Sequence, residues 1–126
     1  MLKRILSTGI ALVMMAVMAV GQARETIEDA IGGQLEAFNA RDVSEAFSYA
    51  SPMIRDIFGD ADSFGDMVEN GFPMVWDNTD VRFLAMQELD GVTVQRVMVT
   101  GANGALHTLN YMMIDTPDGW LIDGDA

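Results

Sequence analysis

The hydrophobic period of this chain changes once, at Asp80, and that change restricts its fold more than any other feature. Upstream, Ile27, Ile31, Leu35 and Phe38 recur at spacings of four, four and three, which places them on one face of a helix over about residues 25–40. Downstream the period is two, and residues 81–89, 92–100, 105–115 and 120–122 read as strands. Asp90-Gly91 and Asn103-Gly104 are two-residue hairpin signals, because both turn positions need positive φ. Thr116-Pro117-Asp118-Gly119 makes the third reversal. Helices first and an antiparallel meander afterwards predict a single α+β domain.

The helical half carries its own punctuation. Gly32-Gly33 in mid-helix costs propensity and points to a close packing contact there. Asp42 with Glu45 three residues on has the form of a capping box, opening a helix with Val43, Phe47 and Ala50. Ser51-Pro52 starts a helix that Gly59 stops, and Asp62 or Ser63 starts another that ends before Gly71. Residues 72–76 read as extended and broken by Pro73.

Two-residue turns imply a register. Leu89 then pairs with Val92, Ala85 with Arg96, Arg96 with Tyr111, Thr100 with His107, and Met113 lies beside Ile122. One face carries Val81, Phe83, Leu89, Val94, Met98, Leu109, Tyr111, Met113, Trp120 and Ile122, interrupted by Gln87, Arg96, Thr100, His107 and Asp115. That face is expected under the helices. The other, with Leu84, Met86, Gln95, Val97, Val99, Leu106 and Met112, is about half apolar, and a homodimer packing two sheets back to back would cover it.

Charge and the first residues define the setting. Lys3 and Arg4, an apolar run over residues 5–20 and Gly21-Gln22-Ala23 have the form of an export signal cleaved after Ala23, so residues 24–126 form the domain and the expected location is periplasmic or secreted. The run is shorter than the ~20 residues a bilayer span needs, so no membrane span is expected in the mature chain. Cleavage turns a net charge of −12 into −14, because Lys3 and Arg4 leave and every acid stays. Such a chain lacks the clustered cations that nucleic-acid binding requires. With no cysteine, and no lysine after cleavage, it cannot form a disulfide, a thiol intermediate or a Schiff base.

Several stretches carry a resemblance: QLEAF at 34–38, AFSYASPMIRDIFG at 46–59, FGDMV at 64–68, FPMVW at 72–76, QRVMV at 95–99, Tyr111 and GWLIDG at 119–124. Together they resemble a bacterial exported family of unassigned function within the nuclear transport factor 2-like, cystatin-like cone superfamily. The resemblance implies helices packed on a strongly curved sheet with a conical pocket between them. It implies no catalytic residue and no cofactor, although the wider superfamily includes isomerases, dehydratases and epoxide hydrolases.

The candidate site follows from the expected register. Arg96 and Tyr111 side by side on the inner face, with Gln87 and Trp120, could hold a small polar acceptor. The plain alternative is an internal ion pair of Arg96 with Tyr111 filling core. His107, the one histidine, is expected at the rim near the Asn103-Gly104 turn, with no acid placed beside it. Asp60, Asp62 and Asp66 resemble the start of a calcium loop, but Phe64 and Gly71 occupy positions that need oxygen ligands, so capping is the better reading and no metal is expected. Asp118, Asp123 and Asp125 read as turn and tail acids. The functional expectation is a non-catalytic domain binding a small apolar or amphipathic ligand or a partner protein. Its alternatives are an acid/base isomerase, dehydratase or hydrolase with a pocket carboxylate, and a dimeric structural or interaction module.

Overall fold

The structure, a computed structural model, describes residues 26–126. The export segment expected at residues 1–23 lies outside them. Five helices come first: α1 (Ile27–Asn39), α2 (Val43–Ser48), α3 (Pro52–Phe58), α4 (Ala61–Gly71) and α5 (Pro73–Trp76). Four strands follow, β1 (Asp80–Leu89), β2 (Val92–Thr100), β3 (Leu106–Thr116) and β4 (Gly119–Asp125), in one antiparallel sheet in chain order. The α+β class and the meander agree with the sequence reading.

Side-chain oxygens start four of the helices. Thr26 accepts from Asp29 N at 3.0 Å, Asp42 from Glu45 N at 3.1 Å, Ser51 from Ile54 N at 3.3 Å and Asp60 from Ser63 N at 2.8 Å. The cap of α4 is therefore Asp60 rather than Asp62 or Ser63. The backbone N–H and then the hydroxyl of Ser63 hold its carboxyl below the usual range. Residues 73–76 are helical rather than extended, because Pro73 sits at the first helical position, where its fixed φ suits the turn and its missing N–H costs nothing. Gly59, at φ 83°, ends α3 as expected.

The helices cover one face of the sheet around an aromatic cluster. Phe64 of α4 meets Phe38, Phe47 and Phe58 at centroid distances of 5.9, 5.4 and 5.6 Å. Gly33 supplies the close approach its position suggests: a Cβ there would stand 2.5 Å from Tyr49 Cζ. Buried Asn78 ties the helical layer to the first strand, donating to Leu35 O and Val75 O and accepting from Asn39 Nδ2. The outer edge of β4 is covered by the chain between α2 and α3, through Ser51 N to Ile122 O at 2.8 Å and Ile122 N to Tyr49 O at 2.9 Å. At its end Ala126 exchanges both backbone hydrogen bonds with Asn110, at 2.9 and 3.0 Å.

The register departs from expectation at two places. Leu89 pairs with Val92 as predicted, but a bulge at Leu84 and Ala85 lets Met86 face Gln95 and Phe83 face Val97. The buried Gln95 side chain closes this bulge by donating to Leu84 O at 2.9 Å and Arg96 O at 2.8 Å. The second departure is the loop after β2. Thr100 pairs with Leu106, not His107, because residues 101–105 form a longer connection: Gly104 N donates to Gly101 O and Gly101 N to Ala105 O, both at 3.0 Å. Each slip moves β2 by one residue, and in a period of two that exchanges its faces. Gln95, Val97 and Val99 are buried under the helices, while Arg96 and Met98 point outward. For β1 before the bulge, β3 and β4 as far as Ile122, the two slips cancel. Val81, Phe83, Leu109, Tyr111, Met113, Trp120 and Ile122 are inward as expected.

Candidate functional site

Between the helical layer and β4 lies a cavity of about 260 Å³. Its walls are hydrocarbon: Ile54 and Phe58 from α3, Phe64, Met67 and Val68 from α4, with Phe38 from α1 among those completing them. The only polar side chains on its wall are Gln34 and Asp125. Gln34 is already engaged, its Nε2 donating to Ala46 O at 3.1 Å. Asp125 is different: among the described residues it enters neither of the two ion pairs, Arg41–Asp77 and Arg82–Asp80, and no hydrogen bond holds its side chain.

A second irregularity in the sheet puts Asp125 there. Met113 pairs with Ile122, but Met112 pairs with Gly124 and Tyr111 with Asp125, so Asp123 is the extra residue of a bulge in β4. Strict alternation from Trp120 and Ile122 would point Asp125 outward; the bulge turns it in, next to Tyr111. Burial pushes its carboxyl up to about 6. Tyr111 is fully buried and its hydroxyl has no hydrogen-bond partner. Its pKa is raised by that burial and then by the charge of Asp125, so the phenol stays neutral. A carboxyl near 6 on an apolar wall can accept a hydrogen bond or a positive charge from a small molecule, and it can exchange a proton near neutral pH.

The residues singled out from sequence are distributed differently from expectation. Arg96 and Tyr111 are not neighbours: Arg96 pairs with Asn110 and is exposed on the outer face, while Tyr111 pairs with Gln95 inside. Gln87, carried across by the β1 bulge, joins Arg96 outside along a shallow groove with Leu89, Val94, Asn110 and Met112. Trp120 is inward but opposite Asp115 at the far end of the sheet, packed partly buried against the core. His107 is half-buried near the Asn103-Gly104 turn, paired with Val99 rather than Thr100, in a depression with Met74, Asp77 and Asn103 whose lining shares no residue with the cavity. Tyr111 alone of the four expected pocket residues borders the cavity's acid. Asp125 carries no sequence signal for this role, because only the bulge at Asp123 distinguishes an inward from an outward carboxylate.

Comparison with known proteins agrees with the fold. A solution structure of a SEC-C motif containing protein from Rhodopseudomonas palustris is similar at a TM-score of 0.62 over 89% of this chain and 86% of that one, at 14% identity, a level that speaks to fold alone. No curated protein matches the chain. A domain of unknown function, DUF4864, matches residues 20–125, which is nearly all of the chain and every element of the fold, so the chain belongs to the DUF4864 family.

Proposed function

We propose that this is an exported domain that binds a small apolar or amphipathic molecule, without converting it, in the cavity between its helices and β4. One observation carries the reading: an apolar cavity of about 260 Å³ whose wall holds two polar side chains, Gln34, with its amide nitrogen engaged, and Asp125, which enters no ion pair among the described residues. Binding sites have this composition, mostly hydrocarbon with a few placed polar atoms, and a volume just under the ~300 Å³ lower bound for drug-sized ligands suits a small one. We further take the fold to be the nuclear transport factor 2-like cone. The cavity under the helices and the bulges at Leu84–Ala85 and Asp123, which bend a sheet, support that assignment.

Native mass spectrometry of the protein purified from its own host tests the binding reading. A bound small molecule is expected, and it is lost in a Val68→Phe variant that fills the cavity. Protein free of any adduct, with no short-chain alcohol binding it in solution, would overturn the proposal.

Asp125 also favours a second reading, an acid/base isomerase, dehydratase or hydrolase, because its carboxyl faces the cavity and titrates near neutral pH. Under that reading wild-type protein and an Asp125→Asn variant retain different molecules, unconverted substrate accumulating in the variant. Under the binding reading they retain the same one.

A further inference from the structure

Accepting the cavity as a binding site, its chemistry narrows what can occupy it. A carboxylate on an apolar wall is costly unless something pairs with it. Among the described residues nothing does: both ion pairs lie elsewhere, no arginine lines the cavity, and the Gln34 amide nitrogen donates to Ala46 O. The Tyr111 hydroxyl beside it is shut away from the cavity surface and makes no hydrogen bond. The protein therefore leaves an acceptor and a negative charge for its ligand to answer. The same cavity is lined by Phe38, Phe58, Phe64 and Phe72, aromatic rings of a kind that favours cations, and the whole chain carries a net charge of −12, which draws cations and repels anions.

We infer that the cavity takes a small alkylammonium, its charged head against the Asp125 carboxylate and its alkyl chain among Phe58, Phe64, Met67 and Val68. An ammonium supplies both hydrogen-bond donors and the missing counter-charge; an alcohol supplies one donor only, and a carboxylate supplies neither and is repelled. Among ligands of equal length the order of affinity is amine, then alcohol, then acid. This inference rests on the binding reading above, and the experiment separates the two.

The probes are hexylamine, hexanol and hexanoate, titrated by calorimetry into the wild-type chain at pH 7.5, where one alkyl length leaves the head group as the variable. Hexylamine is expected to bind at least about tenfold more tightly than hexanol, the size of a charge-assisted pairing over a neutral one, with hexanoate weakest. In an Asp125→Asn variant of unchanged circular dichroism, hexylamine falls to the level of hexanol while hexanol is unmoved. If hexanol binds and hexylamine binds no better, or if the variant keeps the amine preference, the alkylammonium inference fails and the apolar pocket stands. If none of the three binds, the alkylammonium inference fails, and if the purified protein is also free of any adduct the binding reading fails with it. The comparison of heads in the wild type needs no variant, so the inference is decided even if Asp125→Asn does not fold.

Discussion

Asp125 sets the pH behaviour expected of the folded chain. Burial raises its carboxyl from 3.8 to about 6, so between these values the native state keeps a proton that the unfolded chain has lost. Stability contributed by the protonated form is present below about pH 4 and is lost as the pH rises toward 6; above that the native state bears the full cost of a buried charge. Asp125→Asn is thus expected to stabilise the protein at pH 7.5 by on the order of 1–3 kcal/mol and to leave it nearly unchanged at pH 4. Thermal melts of both proteins at the two pH values check this, and an equal effect at both would sink it. From sequence this residue reads as a tail acid, while Arg96, the residue that draws attention there, is exposed on the far side of the sheet. A carboxylate and a guanidinium are chemically legible in a sequence; which side of a backbone they leave from is not.

Elements were legible where the signal was local. Caps at Asp42 and Ser51, the stop at Gly59 and the Asp90-Gly91 turn are short-range matters of hydrogen bonding and φ, and each is found in the structure. The glycine pair in α1 shows how packing adds to this. A Cβ on Gly32 meets nothing within 4 Å, whereas one on Gly33 would run into the Tyr49 ring. Gly32→Ala is therefore expected to raise stability by about 0.5–1 kcal/mol through helix propensity. Gly33→Ala is expected to lower it by about 1–3 kcal/mol, because the ring must move. Urea midpoints for the two variants give the comparison, and destabilisation of similar size in both would contradict it. Strand faces were less legible. A bulge and a loop of odd length each changed the parity of pairing, and between them they turned over β2 while β3, and β4 as far as Ile122, kept the faces their alternation suggests.

At the scale of the whole molecule, the corrected faces change which residues a sheet-to-sheet contact would use. Val97 and Val99 are buried in the core, and the outer face instead offers Leu84, Leu89 and Leu106, exposed at 41%, 52% and 64%. If two copies pack through this face, light scattering at high concentration gives twice the mass of the chain, and Leu89→Glu with Leu106→Glu restores the monomer; a monomer at every concentration would remove the dimer. Among the described residues no helix is long and apolar enough to cross a membrane. The sequence by itself determined helices first and strands after, the antiparallel meander and the net negative charge, because hydrophobic period, turn chemistry and charge are properties of neighbouring residues. Tertiary structure alone decided the cavity and its acid. The acid depends on the bulge at Asp123, and the outward turn of Arg96 on the bulge at Leu84–Ala85, where strands answer to their partners rather than to their own alternation.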